Sequence, residues 1–487
     1  MALEKPLTAG HAMSGLRWIG SARILTQAIT WGMTLFTVRL LQPHDYGLVA
    51  TAALFTVFAN LLLDGGLSLL LVSEGGLSPR QYGAALSWVL MLSVGLAALV
   101  FAIAPEAAEF FKTPALMRVL QVSTLQLPLC ALLVVPQALL AREMRFRETA
   151  LAQFLASIIQ GAATLAMAYA GAAYWSLVFG TMIGTAIRAG TQWLYLRERP
   201  VPNFHFGTLQ PLLRKCVHML GQRVVYFFTS DFDILVLGRL AGPTALGSYS
   251  LAKTLAHTAL DQLSGVVNQV SVPVFAGKRD DVRAQIDGLL FLISTISVLV
   301  FPLFWLTGVL SQVALPLLLG ARWSKLVVPF MVFSFILPLR SIYTLLDSAL
   351  VGTGRVSTTF KNMLTWSAIM IPLLLVTARF GANAAAGAWL IGFPLVFWLS
   401  MRRLARVFAT QTSLLLRPIW SPLTWAAASG AIVELAQLLL QHRLPPLAQL
   451  AVETAIAGAC YWALMRHFAR PQYVQVLRAA LRLVGFA

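Results

Sequence analysis

Charge is scarce in this sequence: Asp, Glu, Lys and Arg make up 11% of its 487 residues, against roughly 25% in a soluble globular domain. That scarcity excludes an ordinary water-facing surface. Cysteine is scarcer still, with Cys130, Cys216 and Cys460 far apart inside apolar segments and no CxxC, which excludes a disulfide framework and a thiolate metal site. No Walker A pattern occurs, so no loop for an ATP phosphate is offered. Acidic residues number only 18 against 36 Lys and Arg, a formal charge of +18. The basic side chains are scattered between apolar runs and form no arm or domain, which argues against nucleic acid as a partner.

What the sequence has is hydrophobic length. Apolar residues make up 58% of the chain and fall into runs of about 20, enough to cross a hydrocarbon core of roughly 30 Å as helix. The runs predict an all-α integral membrane protein of about 14 transmembrane helices, near 18–41, 47–72, 83–104, 116–141, 150–170, 173–196, 213–238, 243–272, 287–310, 325–351, 361–379, 383–403, 420–441 and 447–468. The first run is too long for a signal-peptide core and reads as an uncleaved span. With the N-terminus in the cytoplasm, 23 of the 36 Lys and Arg fall on cytoplasmic segments and 8 on the opposite side. The positive-inside rule selects that orientation, with both termini cytoplasmic. From Pro471 the chain places Val474, Leu477, Leu481 and Val484 on one helical face, away from Arg478 and Arg482, the pattern of an interfacial helix.

A duplication is visible. Arg39, Leu40, Pro43 and Gly47 match Arg239, Leu240, Pro243 and Gly247 at an offset of 200, and Leu63 and Gly65 match Leu263 and Gly265. Leu127, Pro128, Leu129, Leu140 and Arg145 match Leu337, Pro338, Leu339, Leu350 and Arg355 at an offset of 210. An even number of spans per repeat gives both halves the same polarity, the parallel-repeat plan of rocking transporters. The expected organisation is two six-helix lobes, residues 1–200 and 201–410, followed by two extra helices and a cytoplasmic tail in 411–487.

Ionisable residues inside spans are expensive and usually face a bundle interior or a wet cavity. Lys253, His257, Asp261, Ser264 and Asn268 share one face of the eighth predicted helix, and Arg223, Tyr226, Ser230 and Asp233 one face of the seventh. Arg23 lies in a Thr-rich stripe of the first, Arg188 follows Thr181 and Thr185 in the sixth, and Arg340 precedes Tyr343, Thr344 and Asp347 in the tenth. Arg23, Arg188, Arg223, Lys253 and Arg340 are the candidate substrate-binding residues. Two readings of them stand: a hydrated cationic cavity, or ion pairs with intramembrane carboxylates that only hold helices together. Asp64, Asp233, Asp261, Asp347 and His257 are candidates for coupling an ion. For His257 the plainer alternative is a hydrogen-bonded helix contact. Asp231-Phe232-Asp233 has the DxD form of some glycosyltransferases, but its place within an apolar run speaks against an enzymatic role. No metal or cofactor is expected.

Several segments carry a family resemblance: RLLQPHDYGL from Arg39, LLLDGG around Asp64, AREMRF from Ala141, YWSLVFG from Tyr174, and DILVLGRLAG with LGSYSLA between Asp233 and Ala252. In order and spacing, over roughly residues 15 to 410, the chain resembles the polysaccharide-transport (Wzx-type) flippases of the multidrug/oligosaccharidyl-lipid/polysaccharide exporter (MOP) superfamily. Gln42 stands where that family usually has Gly. The resemblance implies a V-shaped pair of six-helix lobes around a cationic cavity. It also implies a bacterial inner-membrane flippase that moves undecaprenyl-pyrophosphate-linked oligosaccharide to the periplasmic leaflet by alternating access, for exopolysaccharide, capsule or O-antigen (lipopolysaccharide) synthesis, and not an enzyme. Its partners would be that lipid-linked substrate, membrane lipids, and the glycosyltransferases and polymerase of the same pathway. The rival expectations are a multidrug/cation antiporter of the same superfamily, which would favour an acidic and aromatic cavity, and a membrane glycan polymerase or ligase. The latter usually needs a large extracytoplasmic loop, and none is predicted here.

Overall fold

Hydrocarbon offers no water to an open backbone, so an apolar run that crosses it must close its hydrogen bonds within itself as helix. The computed structural model describes residues 29–74, 77–276, 282–440 and 444–468, and the side chains at 218, 219, 222, 259, 261–276, 282, 284 and 356 lie outside that description. Arg23 and the segment from Pro471 are outside it too. Among the described residues there is helix and no strand, and ten helical stretches are long and apolar enough to cross a membrane. These ten match ten of the predicted spans. Of the other four, the first begins outside the described residues, the sixth is a helix diluted by polar residues, and the seventh and eighth are two arms of one long element.

The chain divides into two compact units, residues 1–227 and 228–487. The first holds α1 (residues 29–40), α2 (Pro43–Asp64), α3 (Leu67–Ser73), α4 (Pro79–Phe110), α5 (Ala115–Ser123), α6 (Gln126–Arg142), α7 (Phe146–Tyr169) and α8 (Tyr174–Tyr195). The long α9 (Gln210–Ala276) begins there and runs into the second unit. The second unit continues with α10 (Val282–Leu319), α11 (Val327–Gly352), α12 (Val356–Thr377), α13 (Ala382–Val407), α14 (Thr412–Leu440) and α15 (Pro446–Phe468).

Helix breaks sit where the sequence carries its punctuation. Gln42 is extended (φ −102°, ψ 156°), its backbone N–H donates to Asp45 Oδ2 (2.9 Å), and Pro43 opens α2, as proline at a first helical position should. At the matching point of the second half, α9 is interrupted at Gly242 (φ 78°, ψ 174°), just before Pro243. The predicted second span is also broken, because Gly65 and Gly66 both take positive φ after Asp64.

In the first unit α4 packs on α6, α6 on α8, and α7 on α8; in the second, α10 packs on α11, α11 on α13, and α12 on α13. The α7–α8 contact is close because Gly180 and Gly184 of α8 lie directly against Thr164 and Gln160 of α7, a small-residue interface of the GxxxG kind. The α6–α7 turn has Met144 at φ 53° and Arg145 at φ −84°, ψ 58°; the α11–α12 turn has Gly354 at φ 79° and Arg355 at φ −95°, ψ 47°. Helix α10 is longer than α4, 38 residues against 32, which takes up much of the difference between the two sequence offsets.

The last two helices pack on each other and on α10. Glu453, fully buried between them, accepts from Gln437 (3.1 Å) and Gln449 (2.7 Å). Tyr461 donates to the Val298 carbonyl of α10 (2.9 Å).

Candidate functional site

The polar stripes of the second unit meet in one connected cluster. Lys253, on the second arm of α9, reaches back to the first arm, donating to the Ser230 carbonyl (2.7 Å), Asp233 Oδ1 (2.9 Å) and Asp231 Oδ1 (3.4 Å). The second oxygen of Asp233 accepts from Tyr249 Oη (2.7 Å), which in turn accepts from Trp389 Nε1 (3.0 Å). One turn beyond Lys253, His257 Nδ1 meets the Lys253 carbonyl (2.9 Å) and its Nε2 meets Arg340 Nη1 (2.6 Å). A carbonyl can only accept and a guanidinium can only donate, so His257 is a neutral ring with its proton on Nδ1. The Arg340 guanidinium lies over the faces of Trp366 (5.2 Å) and Trp389 (5.6 Å), a cation–π arrangement. The circuit therefore closes: Asp233, Lys253, His257, Arg340, Trp389, Tyr249 and back to Asp233. Asp347, two turns past Arg340 on α11, has a buried Oδ1 without a hydrogen-bond partner. The Asp261 side chain falls outside the described residues.

Of the two readings offered for the intramembrane cations, Lys253 follows the ion-pair one. The pair formed is cross-helix, with Asp233, whose side chain is completely buried. The aromatic members, Tyr249, Trp366 and Trp389, were missed as site residues because in an apolar run an indole or phenol reads as core. A signal was available in their clustering, since α12 and α13 supply two tryptophans within reach of the one Arg of α11.

The first unit holds two separate arrangements. Arg223 pairs with Asp64, whose other oxygen accepts from Ser68 Oγ, just beyond the Gly65–Gly66 break. Arg188 lies seven residues from the end of α8, about 10 Å in at 1.5 Å per residue. It donates to Gln137 of α6 over a long 3.4 Å, and its Nε is buried with no hydrogen-bond partner. Asn60 Oδ1 on α2 and both amide atoms of Gln192, one turn further along α8, are likewise buried without partners. Among the described residues no carboxylate lies within ion-pair distance of Arg188. Of the candidate cations described, Arg223 and Lys253 are salt-bridged, Arg340 is stacked on indoles, and Arg188 reaches the neutral amide of Gln137.

No group of three or more His, Cys, Asp or Glu able to hold a metal ion occurs among the described residues. A family model described as "Polysaccharide biosynthesis protein" matches residues 36–328. The lipopolysaccharide biosynthesis protein WzxC of Escherichia coli (strain K12) is 23% identical over 79% of this chain and 78% of its own length. The succinoglycan biosynthesis transport protein ExoT of Rhizobium meliloti (strain 1021) is 26% identical over 62% of each chain. Among solved structures, the lipid II flippase MurJ in an inward closed conformation superposes with a TM-score of 0.75 at 13% identity, over 93% of this chain and 99% of that one. That identity speaks to the fold alone.

Proposed function

The chain belongs to the polysaccharide biosynthesis protein family, and from that premise we propose that it is a flippase for lipid-linked oligosaccharide, moving the undecaprenyl-pyrophosphate-bound repeat unit from the cytoplasmic to the outer leaflet of a bacterial inner membrane. It is a membrane transport protein of polysaccharide biosynthesis and not an enzyme. Sugars and phosphates lose hydration in hydrocarbon whereas the polyprenyl chain does not, so only the headgroup needs a protein path. The intramembrane polar faces provide it, with Arg and Lys holding the diphosphate through charge-assisted hydrogen bonds. Both termini are cytoplasmic in this reading. Its two six-helix lobes are parallel repeats, supported by the breaks at 42 and 242, the matching turns at 144–145 and 354–355, and the helix pairings common to both units.

The observation that carries the proposal is Arg188. An intramembrane cation with no carboxylate beside it is costly, and the place of Arg188 beside the Gln137 amide, with its Nε buried and unpartnered, is explained if its counter-ion arrives with the substrate. Replacing Arg188 with Gln should slow flipping roughly 10- to 100-fold, the worth of one charged hydrogen bond of about 1.5–3 kcal/mol, while the protein stays folded and membrane-inserted. A fluorescent polyprenyl-diphosphate glycan in proteoliposomes reads the rate, and wild-type flipping by Arg188→Gln would refute the assignment. Of the candidate coupling carboxylates with described side chains, Asp64 and Asp233 are held by cations, whereas no ion pair to Asp347 occurs among the described residues.

The aromatic character of the second cluster favours a different reading, a multidrug/cation antiporter. Against it, the faces of Trp366 and Trp389 already carry Arg340, and Asp231 and Asp233 already face Lys253. An organic cation would have to displace the protein's own. Expression that raises resistance to lipophilic cations without restoring polysaccharide export would favour the antiporter.

A further inference from the structure

Apart from both clusters, the first unit contains a cavity of about 900 Å³ where the start of α4, the end of α6 and the segment after α8 converge. Four arginines line it, Arg80, Arg142, Arg197 and Arg199, over an apolar floor that includes Leu77 and Leu139. Two carboxylates, Glu143 and Glu198, also line it, and Glu143 is engaged by Arg145. The lining is net cationic, and among the described residues none of the four arginines makes a salt bridge.

The cavity is built by specific contacts. Gly83 of α4 lies so close to the Val201 carbonyl that a Cβ there would sit 2.0 Å from it. The Asn203 backbone N–H donates to the Gly83 carbonyl (3.4 Å) and its side chain to the Arg80 carbonyl (2.7 Å). Across the cavity, Arg142 donates to Tyr82 Oη (2.6 Å). Residues 201–203 are thus pinned onto α4 by close approach and two hydrogen bonds, and Arg197 and Arg199 are carried on the segment leading to that anchor.

We propose that this cavity binds the phosphodiester headgroup of an anionic phospholipid from the surrounding leaflet. The position decides the source of the anion. The cavity lies at the ends of spanning helices, at headgroup depth, and on the basic side that the positive-inside rule assigns to the cytoplasm. Its volume suits a headgroup, within the roughly 300–1,000 Å³ of small-molecule sites, and its apolar floor suits the glycerol and first methylenes. A soluble phosphate would use the arginines but not Leu77 and Leu139.

The test uses the full chain, purified and exchanged into nanodiscs of phosphatidylglycerol and phosphatidylcholine mixed equally, with lipids retained after detergent extraction counted by native mass spectrometry. Wild type should retain phosphatidylglycerol in clear preference. R197Q/R199Q, which removes two charges that make no hydrogen bond among the described residues, should cut that preference roughly 10- to 30-fold at about 1 kcal/mol per arginine, with retention of phosphatidylcholine and the unfolding temperature unchanged. A charge-preserving R197K/R199K should keep most of the preference. Glycerol phosphate in solution should not displace the retained lipid. The proposal is overturned if wild type shows no preference, if R197Q/R199Q keeps it in full, or if glycerol phosphate competes the lipid away and so identifies a soluble ligand. None of these readouts depends on flipping.

Discussion

At the scale of residues, the second-unit cluster is an electrostatic problem solved in a confined space. Asp233 has no exposed side-chain surface and Lys253 very little, so each charge depends on the other. Removing one partner of such a pair leaves a bare charge in a low-dielectric site, a loss of about 3–5 kcal/mol, whereas neutralising both together is much milder. Lys253→Ala should therefore lower the unfolding temperature in detergent sharply, and adding Asp233→Asn to it should restore most of the loss, since an amide can still accept from Tyr249. Equal melting of the single and double variants would mean that Lys253 is solvated and its pairing with Asp233 unimportant. Arg188 is the contrasting case. It has no carboxylate to orphan, so Arg188→Gln should spare stability and act on transport. The sequence exposed both cations through their spacing on helices, but it could not separate them, because whether a carboxylate faces a given Arg is decided by how helices distant in sequence pack.

At the scale of elements, Arg145 and Arg355 do the same thing in each unit. Arg145 Nη1 donates to the Tyr195 carbonyl at the end of α8 (2.6 Å), and Arg355 Nη1 donates to the Val407 carbonyl at the end of α13 (3.0 Å). Each clasps a helix end whose last carbonyls have no partner within the helix, and the positive charge also suits the negative end of the helix dipole. In each turn the arginine's own N–H closes back on the preceding helix, to Leu140 O (2.9 Å) and Leu350 O (2.8 Å). This explains why Arg145 and Arg355 stand out in the repeat: they are fixed by turn geometry and by a cap, neither of which depends on substrate. Arg145→Ala and Arg355→Ala should each lower the unfolding temperature, and by similar amounts, because each removes the same clasp on a helix end. Arg145 also pairs with Glu143 and Glu148, so a markedly larger loss at 145 would assign those pairs more weight than exposed pairs usually carry. Helix number and type were legible because apolar runs of span length admit little else. The breaks inside them were legible only in part: Gly-Gly at 65–66 and Gly-Pro at 242–243 announce themselves, whereas the step between α5 and α6 near Thr124 comes four residues ahead of its proline, Pro128, which has no N–H to bond the Thr124 carbonyl.

At the scale of the whole molecule, the scarcity of acidic residues becomes a statement about energy supply. A polyprenyl diphosphate carries roughly two negative charges, and moving them outward across an interior-negative membrane is favoured by about 2.3 kcal/mol per charge per 100 mV. With no ATP-binding loop in the sequence, the potential and the concentration gradient of substrate are the supplies at hand. They act on net moved charge, so the protein's contribution matters: a cationic group travelling with the headgroup would cancel the effect, while arginines anchored to helices that move little would preserve it. Arg223, tied to Asp64, and Arg340, stacked on two indoles, each already have a partner within the protein. In proteoliposomes clamped by a potassium gradient and valinomycin, outward flipping of a diphosphate-linked glycan should accelerate as the interior is made negative and slow when the polarity is reversed. Asp347→Asn should leave that response unchanged. A flipping rate indifferent to potential in wild type but responsive in Asp347→Asn would show instead that a cation bound at Asp347 compensates the substrate's charge, and potential-driven export of the bare anion would have to be abandoned.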